Sequence, residues 1–382
     1  MPSEPQIEIL SLKRRNRLFF LLLVVFLVAL PVMIFYTTGY RLSFENEETS
    51  IVTTGGMYIT TDNLEVDVYV DQKQIEKPRL FRSAYYIQNI EAGKHRVVVQ
   101  RPDLQTWVKD LPVDPYIVIE AAAFNMPVVP HIRPVTEFNT IEGLPVFRNV
   151  SSTTILFPSA TTTIQIYATS SSATSSYSVN EEFIFVKSLF SSTSSSSRSV
   201  FEKFLNEVDR FRFATTSSVD NSTTTEELVE SGNMRLVERE GEIFAVWKDD
   251  ANTIPYYFCV SNYNASSTAS RYGQHVADAI VKQSLSTTTP LMLDGDRVCR
   301  SEIKLNHLRQ DVYFYDFFPN DSDLILLQLE DGLYVTEIDD RAWQNTQLLY
   351  GGDDFRVVIE NNIIYVFEDG KYFEIITEIE PI

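Results

Sequence analysis

Hydrophobic residues are distributed very unevenly along the chain, and their longest run lies close to the N-terminus. Residues 18–36, LFFLLLVVFLVALPVMIFY, contain no charged side chain. About 20 apolar residues carry a helix across the hydrocarbon of a bilayer, and a helix pairs every backbone amide within one segment. The pattern therefore predicts one transmembrane helix over residues 18–36.

Charged residues on either side of this run predict its orientation. A basic cluster precedes the run and several glutamates follow it, and basic residues stay on the cytoplasmic side of a membrane. The cluster consists of Lys13, Arg14, Arg15 and Arg17. We expect a cytoplasmic tail at 1–17, a juxtamembrane linker at 37–54 and the bulk of the chain outside the cell membrane.

Two other interpretations of the apolar run stay open. A buried core helix seldom lacks charge over such a length, and the apolar core of a cleaved signal peptide usually spans about 7–15 residues. No A-x-A cleavage pattern closes the run. An uncleaved signal anchor, and hence a single-pass protein, is therefore the prediction.

Downstream of the anchor, alternating hydrophobic and polar residues predict short β-strands. The valines of residues 66–70 share one face of a period-2 pattern, and 95–100 and 113–122 are further candidate strands. Glycine and proline residues between them favour turns and sheet edges. Residues 55–130 are therefore predicted to form a small β domain.

The strand and turn pattern of this domain resembles the PEGA domain. The matching segments are VDVYVDQKQI at 66–75, IEAGKHRVVV at 90–99 and LQTW at 104–107. Gln72 stands where that family usually has glycine, and residues 91–93 depart from its Pro-Glu-Gly-Ala order. The resemblance implies a small β-sandwich of a bacterial or archaeal envelope protein, and it implies no catalytic residue.

Residues 151–235 are rich in serine and threonine, which predicts loops or linker within the larger domain. Three apolar runs inside this stretch are candidate strands, namely 155–157, 164–167 and 183–186. Residues 200–211 carry apolar side chains at helical spacing, and Ser199 would cap that helix. We interpret the helix as packing on its own domain; a docking helix for a partner is the alternative.

A repeated turn motif marks the C-terminal region. The hexapeptides LEDGLY at 329–334 and FEDGKY at 367–372 place Gly332 and Gly370 38 residues apart. Hairpins that recur about every 40 residues are typical of successive four-stranded propeller blades. Residues 131–382 are therefore predicted to form a larger, irregular β-propeller-like domain, with a smaller β domain as the alternative. The chain as a whole is predicted to be mainly β.

Composition and charge exclude one class of partner. The chain has 52 acidic and 32 basic side chains, a net charge of −20, and a net −14 falls in residues 311–382. Such a surface repels phosphate, so nucleic acid is not an expected partner. We interpret the acidic segment as a solvated rim that faces outward; a surface for a cation or a basic partner is the alternative.

The two cysteines are the clearest candidates for covalent chemistry. Cys259 and Cys299 lie beside strand-like residues in a part of the chain expected outside the cytoplasm, where disulfides persist. A disulfide between neighbouring strands is the prediction. Because Arg297 and Arg300 flank Cys299, a reactive thiol is the alternative.

Other candidate chemistry is sparse. The four histidines are scattered without metal-ligand spacing, and no nucleotide-binding or serine-hydrolase motif occurs. We therefore assign no catalytic, cofactor-binding or metal-binding residue. Three tryptophans are interpreted as core residues, with sugar stacking as the alternative: Trp107, Trp247 and Trp343.

These patterns predict a membrane-anchored envelope protein that is not an enzyme. Its extracytoplasmic β domains are expected to bind or scaffold an envelope protein or a cell-wall glycan, while residues 18–36 contact the bilayer. The alternative is an extracytoplasmic hydrolase acting on cell-wall polymer. A deep cleft that holds two carboxylates, or a serine and a histidine, would favour the hydrolase.

Overall fold

The computed structural model of the chain describes residues 12–43, 50–77, 83–135, 138–139, 145–146, 181–191, 229–250, 253–261, 264–286, 291–294 and 297–377. Strands in the first part of this set are β1 (Tyr40–Ser43), β2 (Ser50–Thr61), β3 (Asp67–Val70), β4 (Lys73–Gln74), β5 (Ala84–Glu91), β6 (Gly93–Gln100), β7 (Trp107–Val113), β8 (Val118–Ala123), β9 (His131–Val135), β10 (Phe138–Asn139) and β11 (Pro145–Val146).

The later strands are β12 (Val229–Ser231), β13 (Met234–Arg239), β14 (Glu242–Trp247), β15 (Cys259–Ser261), β16 (Met292–Asp294), β17 (Arg297–Cys299), β18 (Glu302–Lys304), β19 (Phe314–Phe317), β20 (Leu324–Leu329), β21 (Gly332–Glu337), β22 (Thr346–Gly351), β23 (Phe355–Glu360), β24 (Ile363–Glu368) and β25 (Lys371–Ile376). The helices are α1 (Leu12–Thr37), α2 (Glu181–Ser191), α3 (Ala265–Tyr272) and α4 (Gln274–Ser284), with a 3-10 turn at Tyr256–Phe258.

Helix α1 contains the predicted span and begins six residues before it. Within the described part of the chain, α1 alone is long and apolar enough to cross a membrane, and none of its apolar window is buried against the rest of the protein. The basic cluster Lys13, Arg14, Arg15 and Arg17 therefore forms the start of the same helix. Its length and composition fit a signal anchor or a signal peptide.

Two four-stranded sheets face each other over residues 40–123. In the first sheet β2 lies centrally, with β5 on one side and β1 and β8 on the other. The second sheet has the order β4-β3-β6-β7. The valines of residues 66–70 are buried between the sheets, as their alternation predicts. Strand β1 and the first residues of β2 lie within the segment 37–54 that is predicted as a linker.

Tertiary pairing shows what the predicted turn at 91–93 connects, and it changes one predicted strand in this region. The turn at residues 91–93 joins β5 to β6, and these strands belong to different sheets. The predicted strand at 113–122 is divided by a turn at 114–117, where Tyr116 adopts a positive φ of 66°. Residues on the two sides of this turn pair with β6 and β2 respectively.

Four sheets contain nearly all of the described strands beyond residue 130. Three have four strands, in the orders β12-β13-β14-β18, β19-β20-β21-β22 and β23-β24-β25-β9, and one has the order β15-β17-β16. The two repeated hexapeptides lie at equivalent places, because each connects the second and third strands of its sheet. The fold is thus mainly β, with several antiparallel sheets.

Helix α2 overturns the prediction of a strand at 183–186. Phe183, Val186 and Phe190 are spaced by three or four residues, so they fall on one helical face. That face packs against the sheet β23-β24-β25-β9: Val186 is buried with Val135 of β9 and Tyr365 of β24. The candidate strands at 155–157 and 164–167, and the candidate helix at 200–211 with its Ser199 cap, lie outside the described residues.

One hydrophobic core runs from the first two sheets into the C-terminal sheets. Buried residues of β2, β6 and β7 belong to the same cluster as buried residues of β20, β21 and β24. Trp107 is fully buried in this cluster, as its interpretation as a core residue requires. Residues 55–130 and 131–382 therefore share a core.

Buried charged side chains cross the same boundary. We call Lys109, Glu337, Asp339 and Arg341 the interface network. Lys109 Nζ lies 2.8 Å from Glu337 Oε1 and 3.2 Å from Asp339 Oδ2, and Arg341 donates to Asp339 at 2.8 Å. Burial opposes ionisation of Asp339, but Arg341 and Lys109 outweigh it and hold its pKa below the ordinary value. These carboxylates belong to the acidic segment, so its interpretation as a solvated rim is wrong at this point.

Candidate functional site

The described part of the chain contains a cleft of about 1030 Å³. Four pieces of structure bound it: the β13–β14 hairpin, helix α4, residues 300–309 and residues 340–344. We refer to this cavity as the cleft. Its volume lies at the upper end of what small-molecule sites occupy.

Local sequence explains how these four pieces meet. The β13–β14 hairpin turns at Glu240 and Gly241, both with positive φ, and β14 pairs with β18. The amide nitrogen of Gln283 donates to the carbonyl of Glu302 at 2.9 Å, which ties α4 to the same sheet. Gln344 accepts a hydrogen bond from the backbone of Asn306 at 2.7 Å and closes the remaining side.

Opposite charges along the walls are matched in pairs. Lys304 Nζ and His307 Nε2 lie 2.7 Å and 2.9 Å from the two carboxylate oxygens of Glu242. Burial alone would raise the pKa of Glu242, but these two neighbours hold it below its ordinary value. Two further pairs line the cleft, namely Arg239 with Glu302 and Arg300 with Asp340.

Several polar groups of the cleft have no partner among the described residues. Arg300 Nε and Gln283 Oε1 belong to side chains that are more than nine-tenths buried. A buried polar group without a hydrogen bond costs about 1–3 kcal/mol, so these two atoms are held in place at the expense of stability. Lys282 and Arg309 add two positive charges that no described carboxylate neutralises.

Aromatic side chains contribute flat surfaces to the cleft. Trp343 is 37% exposed, whereas Trp107 is fully buried, so the three tryptophans do not share one role. Trp247 is half-buried in the sheet and donates its indole N–H to the carbonyl of Asp250 at 3.2 Å. Phe244 lies under the guanidinium of Arg239, 4.4 Å from ring centre to Cζ. The arrangement suits a polar molecule with a flat, partly apolar face.

Carboxyl groups with raised pKa values lie elsewhere, in a second and much smaller cavity of about 20 Å³. Partial burial, followed by repulsion from Asp321 and Asp323, raises the pKa of Asp62 to about 6. Burial likewise raises the pKa values of Asp321 and Asp323. A cavity of this size holds about one water molecule, so it cannot admit a polymer substrate.

The two cysteines are joined in the structure. Cys259 on β15 pairs directly with Cys299 on β17, and their Sγ atoms are 2.08 Å apart. Because helices α3 and α4 lie between the two cysteines in sequence, the bond closes a loop around this helical pair. Arg300, the neighbour that favoured a reactive thiol, instead pairs with Asp340.

Sequence reasoning found few residues of the cleft. Of its lining, only Trp343, Arg300 and the histidines His275 and His307 were singled out, and sugar stacking was only the alternative interpretation of Trp343. The remaining two histidines lie away from it, with His95 2.5 Å from Asp71. The spacing of residues in the sequence did not predict the cleft, because its lining comes from segments that are separated by up to about 100 residues.

The fold and the cleft together define a mainly β protein with an N-terminal apolar helix and a charged, aromatic-lined cavity. No family model matches the chain. No curated protein matches it either.

A solved structure of a membrane-associated protein of unknown function from Bacteroides fragilis is similar to the chain at 11% identity. The match covers 84% of this chain and 94% of that one, with a TM-score of 0.17. A TM-score this low does not show a shared fold.

Proposed function

We propose that this protein is a single-pass envelope protein that binds a cell-wall glycan in the cleft, with α1 retained as an uncleaved anchor. The observation that carries the proposal is Trp343, 37% exposed in a cavity that is also lined by the ion-paired side chains of Glu242 and Lys304. Sugars stack their apolar faces on aromatic rings and exchange hydrogen bonds with planar polar side chains. The cleft offers both within one cavity.

The charges of the cleft support binding more than hydrolysis. A general acid for glycoside cleavage needs a carboxyl whose pKa is raised, next to a second carboxylate. In the cleft, Lys304 and His307 hold the pKa of Glu242 below its ordinary value, and Glu302 and Asp340 each form an ion pair with an arginine. No serine is among the described lining residues that could pair with His275 or His307. The hydrolase remains the alternative function.

Two finer features of the fold belong to the same proposal. We propose that the two sheets over residues 40–123 form a PEGA-like sandwich and that the sheets beyond it are arranged as irregular propeller blades. The pairing of β9 with β25 supports the second statement, because a strand from the start of the domain completes its last sheet. Closure of that kind leaves short, protected edges.

Retention on insoluble peptidoglycan tests the proposed function. The full chain in detergent is expected to sediment with peptidoglycan, and Trp343→Ala is expected to weaken retention about tenfold because a central aromatic contact is lost. Trp343→Phe keeps a stacking surface and should retain most of the binding.

Tyr313→Ala is the matched control, since Tyr313 is 36% exposed but lies outside the cleft. Equal retention of Trp343→Ala and the unaltered protein would contradict the proposal. Soluble saccharide released by the unaltered protein, measured in the same tubes, would favour the hydrolase instead.

A further inference from the structure

Aromatic rings join the end of α1 to the first sheet. The helix ends at Thr37 and β1 begins at Tyr40, so two residues separate them. Phe35 stacks on Tyr40 with ring centres 5.4 Å apart, and Tyr40 meets Tyr116 edge-on at 5.7 Å. The direction in which the helix leaves the domain is therefore fixed by contacts.

Arg41 strengthens this junction. Its guanidinium lies 3.5 Å from the ring centre of Tyr36 and donates to the carbonyl of Tyr36 at 2.6 Å. The same group donates to the side chain of Asn89 at 2.6 Å, which reaches the end of β5. One cation thus connects the last turn of the helix with two strands of the sheet.

The outer face of the first sheet continues this junction and carries several exposed aromatic and aliphatic side chains. Tyr86 is 56% exposed, Tyr116 53%, Ile117 46% and Val118 44%. We call these four residues the juxtamembrane face. Together with the last residues of α1 they line a depression of about 290 Å³. Exposed apolar patches of this kind mark surfaces that contact a partner or a membrane.

Helix geometry places this face at the level of the lipid headgroups. The apolar run of 19 residues ends at Tyr36 and spans about 29 Å at 1.5 Å per residue, close to the hydrocarbon thickness of a bilayer. A depression that adjoins Tyr36 therefore begins where the hydrocarbon ends. Tyrosine is enriched at this depth, because its ring is apolar and its hydroxyl is wet.

Charge at this surface also suits lipid. The described residues that line the depression include Arg41 but no aspartate or glutamate, in a chain whose net charge is −20. A carboxylate here would be repelled by the phosphate groups of phospholipid headgroups. The low acidity is thus local to the end of the helix.

We propose that the juxtamembrane face rests in the headgroup layer of the bilayer that α1 spans, so that the first sheet lies on the membrane. The proposal rests on the anchor assigned above. The occupant is phospholipid, because the face is continuous with the helix and follows it by two residues. The orientation of the cleft relative to the membrane would then be fixed by the sandwich.

Site-specific fluorescence quenching tests this inference in the full chain. Tyr86→Cys and Val118→Cys are labelled with an environment-sensitive maleimide, because the native cysteines are disulfide-bonded and do not react. The protein is reconstituted in vesicles of phosphatidylcholine and phosphatidylglycerol that carry a nitroxide on the headgroup. Both labels are expected to be quenched at least about twofold more than a control label, because they lie within the interface.

Gln100→Cys is the matched control, since Gln100 is exposed on β6 of the opposite sheet. Val25→Cys, read with a nitroxide deep in the acyl chain, reports the anchor separately. Quenching at Val25 with equal, weak quenching at positions 86, 118 and 100 would overturn the inference and leave the anchor intact. Absence of quenching at Val25 would overturn the anchor and the inference with it. Protection of positions 86 and 118 that depends on protein density, without quenching, would indicate a second copy and also overturn it.

Discussion

Asp62 is a side chain whose pKa the folded structure raises well above its ordinary value. It lies at the mouth of the small acidic cavity, where partial burial and the carboxylates of Asp321 and Asp323 raise its pKa to about 6. An unfolded chain would titrate this group near 3.8. The folded state therefore binds the proton more tightly than the unfolded state does.

This difference predicts a stability change with pH. The contribution of Asp62 to the free energy of unfolding is fully present below about pH 4 and is lost as the pH rises through about 6. Asp62→Asn removes the charge, so it should stabilise the protein at pH 7 by about 1 kcal/mol, less than the full shift implies because solvent reaches the group. Urea unfolding at pH 5 and pH 7 measures the difference between variant and parent.

Asp103→Asn is a control of opposite sign. The side chain of Arg101 holds the pKa of Asp103 below its ordinary value, so this variant should lose stability at pH 7 and match the parent at low pH. An Asp62→Asn variant as unstable as Asp103→Asn at pH 7 would contradict the assignment.

At the scale of elements, the disulfide couples a small sheet to a helical pair. Cys259 and Cys299 are 40 residues apart, and the loop between them contains α3 and α4. By the loop-entropy model, closing about 40 residues stabilises the folded state by roughly 3–4 kcal/mol. Helix α4 contributes Lys282 and Gln283 to the cleft, so the bond supports the site as well as the fold.

Replacing both cysteines by serine therefore predicts a loss of about 3 kcal/mol in the free energy of unfolding. Thermal unfolding of the double variant, compared with the oxidised parent, gives the magnitude. Reduction of the parent should produce a similar loss, whereas the reductant should leave the double variant unchanged. No change on reduction of the parent would contradict a stabilising role for the bond.

Two elements show when the local hydrophobic pattern is sufficient to predict the structure and when it is not. The alternation at 66–70 predicted which valines are buried, because side chains of a strand point to opposite faces whatever the partner is. The run at 183–186 misled the prediction, because four consecutive apolar residues suit a buried strand or a helix equally. In the structure the run is helical, and Val186 on its buried face contacts Val135 and Tyr365.

At the scale of the whole molecule, the interface network links the two predicted domains, and we expect them to unfold as one cooperative unit. Lys109 is fully buried and Glu337 nearly so, and the shared hydrophobic core surrounds them. Removing one partner of a buried ion pair leaves an uncompensated charge, which costs about 3–5 kcal/mol. The loss in the free energy of unfolding should affect both predicted domains, because neither domain keeps a complete hydrophobic core without the other.

Hydrogen exchange of Lys109→Met tests this cooperativity. Peptides from β6 and from β20 should show the same free energy of opening in the parent, and both should fall by about 3–5 kcal/mol in the variant. Lys77→Met is the control, since Lys77 pairs with Asp67 at the surface, 3.2 Å away, and should change little. Two independent domains would be indicated by a lower free energy of opening for β6 than for β20 in the parent, with neither value changed in the variant.

The sequence by itself determined the features that depend on neighbouring residues in the chain: an apolar helix near the N-terminus, short alternating strands, recurring Asp-Gly hairpins and two cysteines of an expected disulfide. Tertiary structure alone decided that β5 and β6 join different sheets, that acidic residues are buried against Lys109, and that Trp343 faces a cleft while Trp107 fills the core. These outcomes depend on contacts between segments far apart in sequence. Those contacts decide which residues are buried and which charges form pairs, and the local hydrophobic periodicity does not predict them.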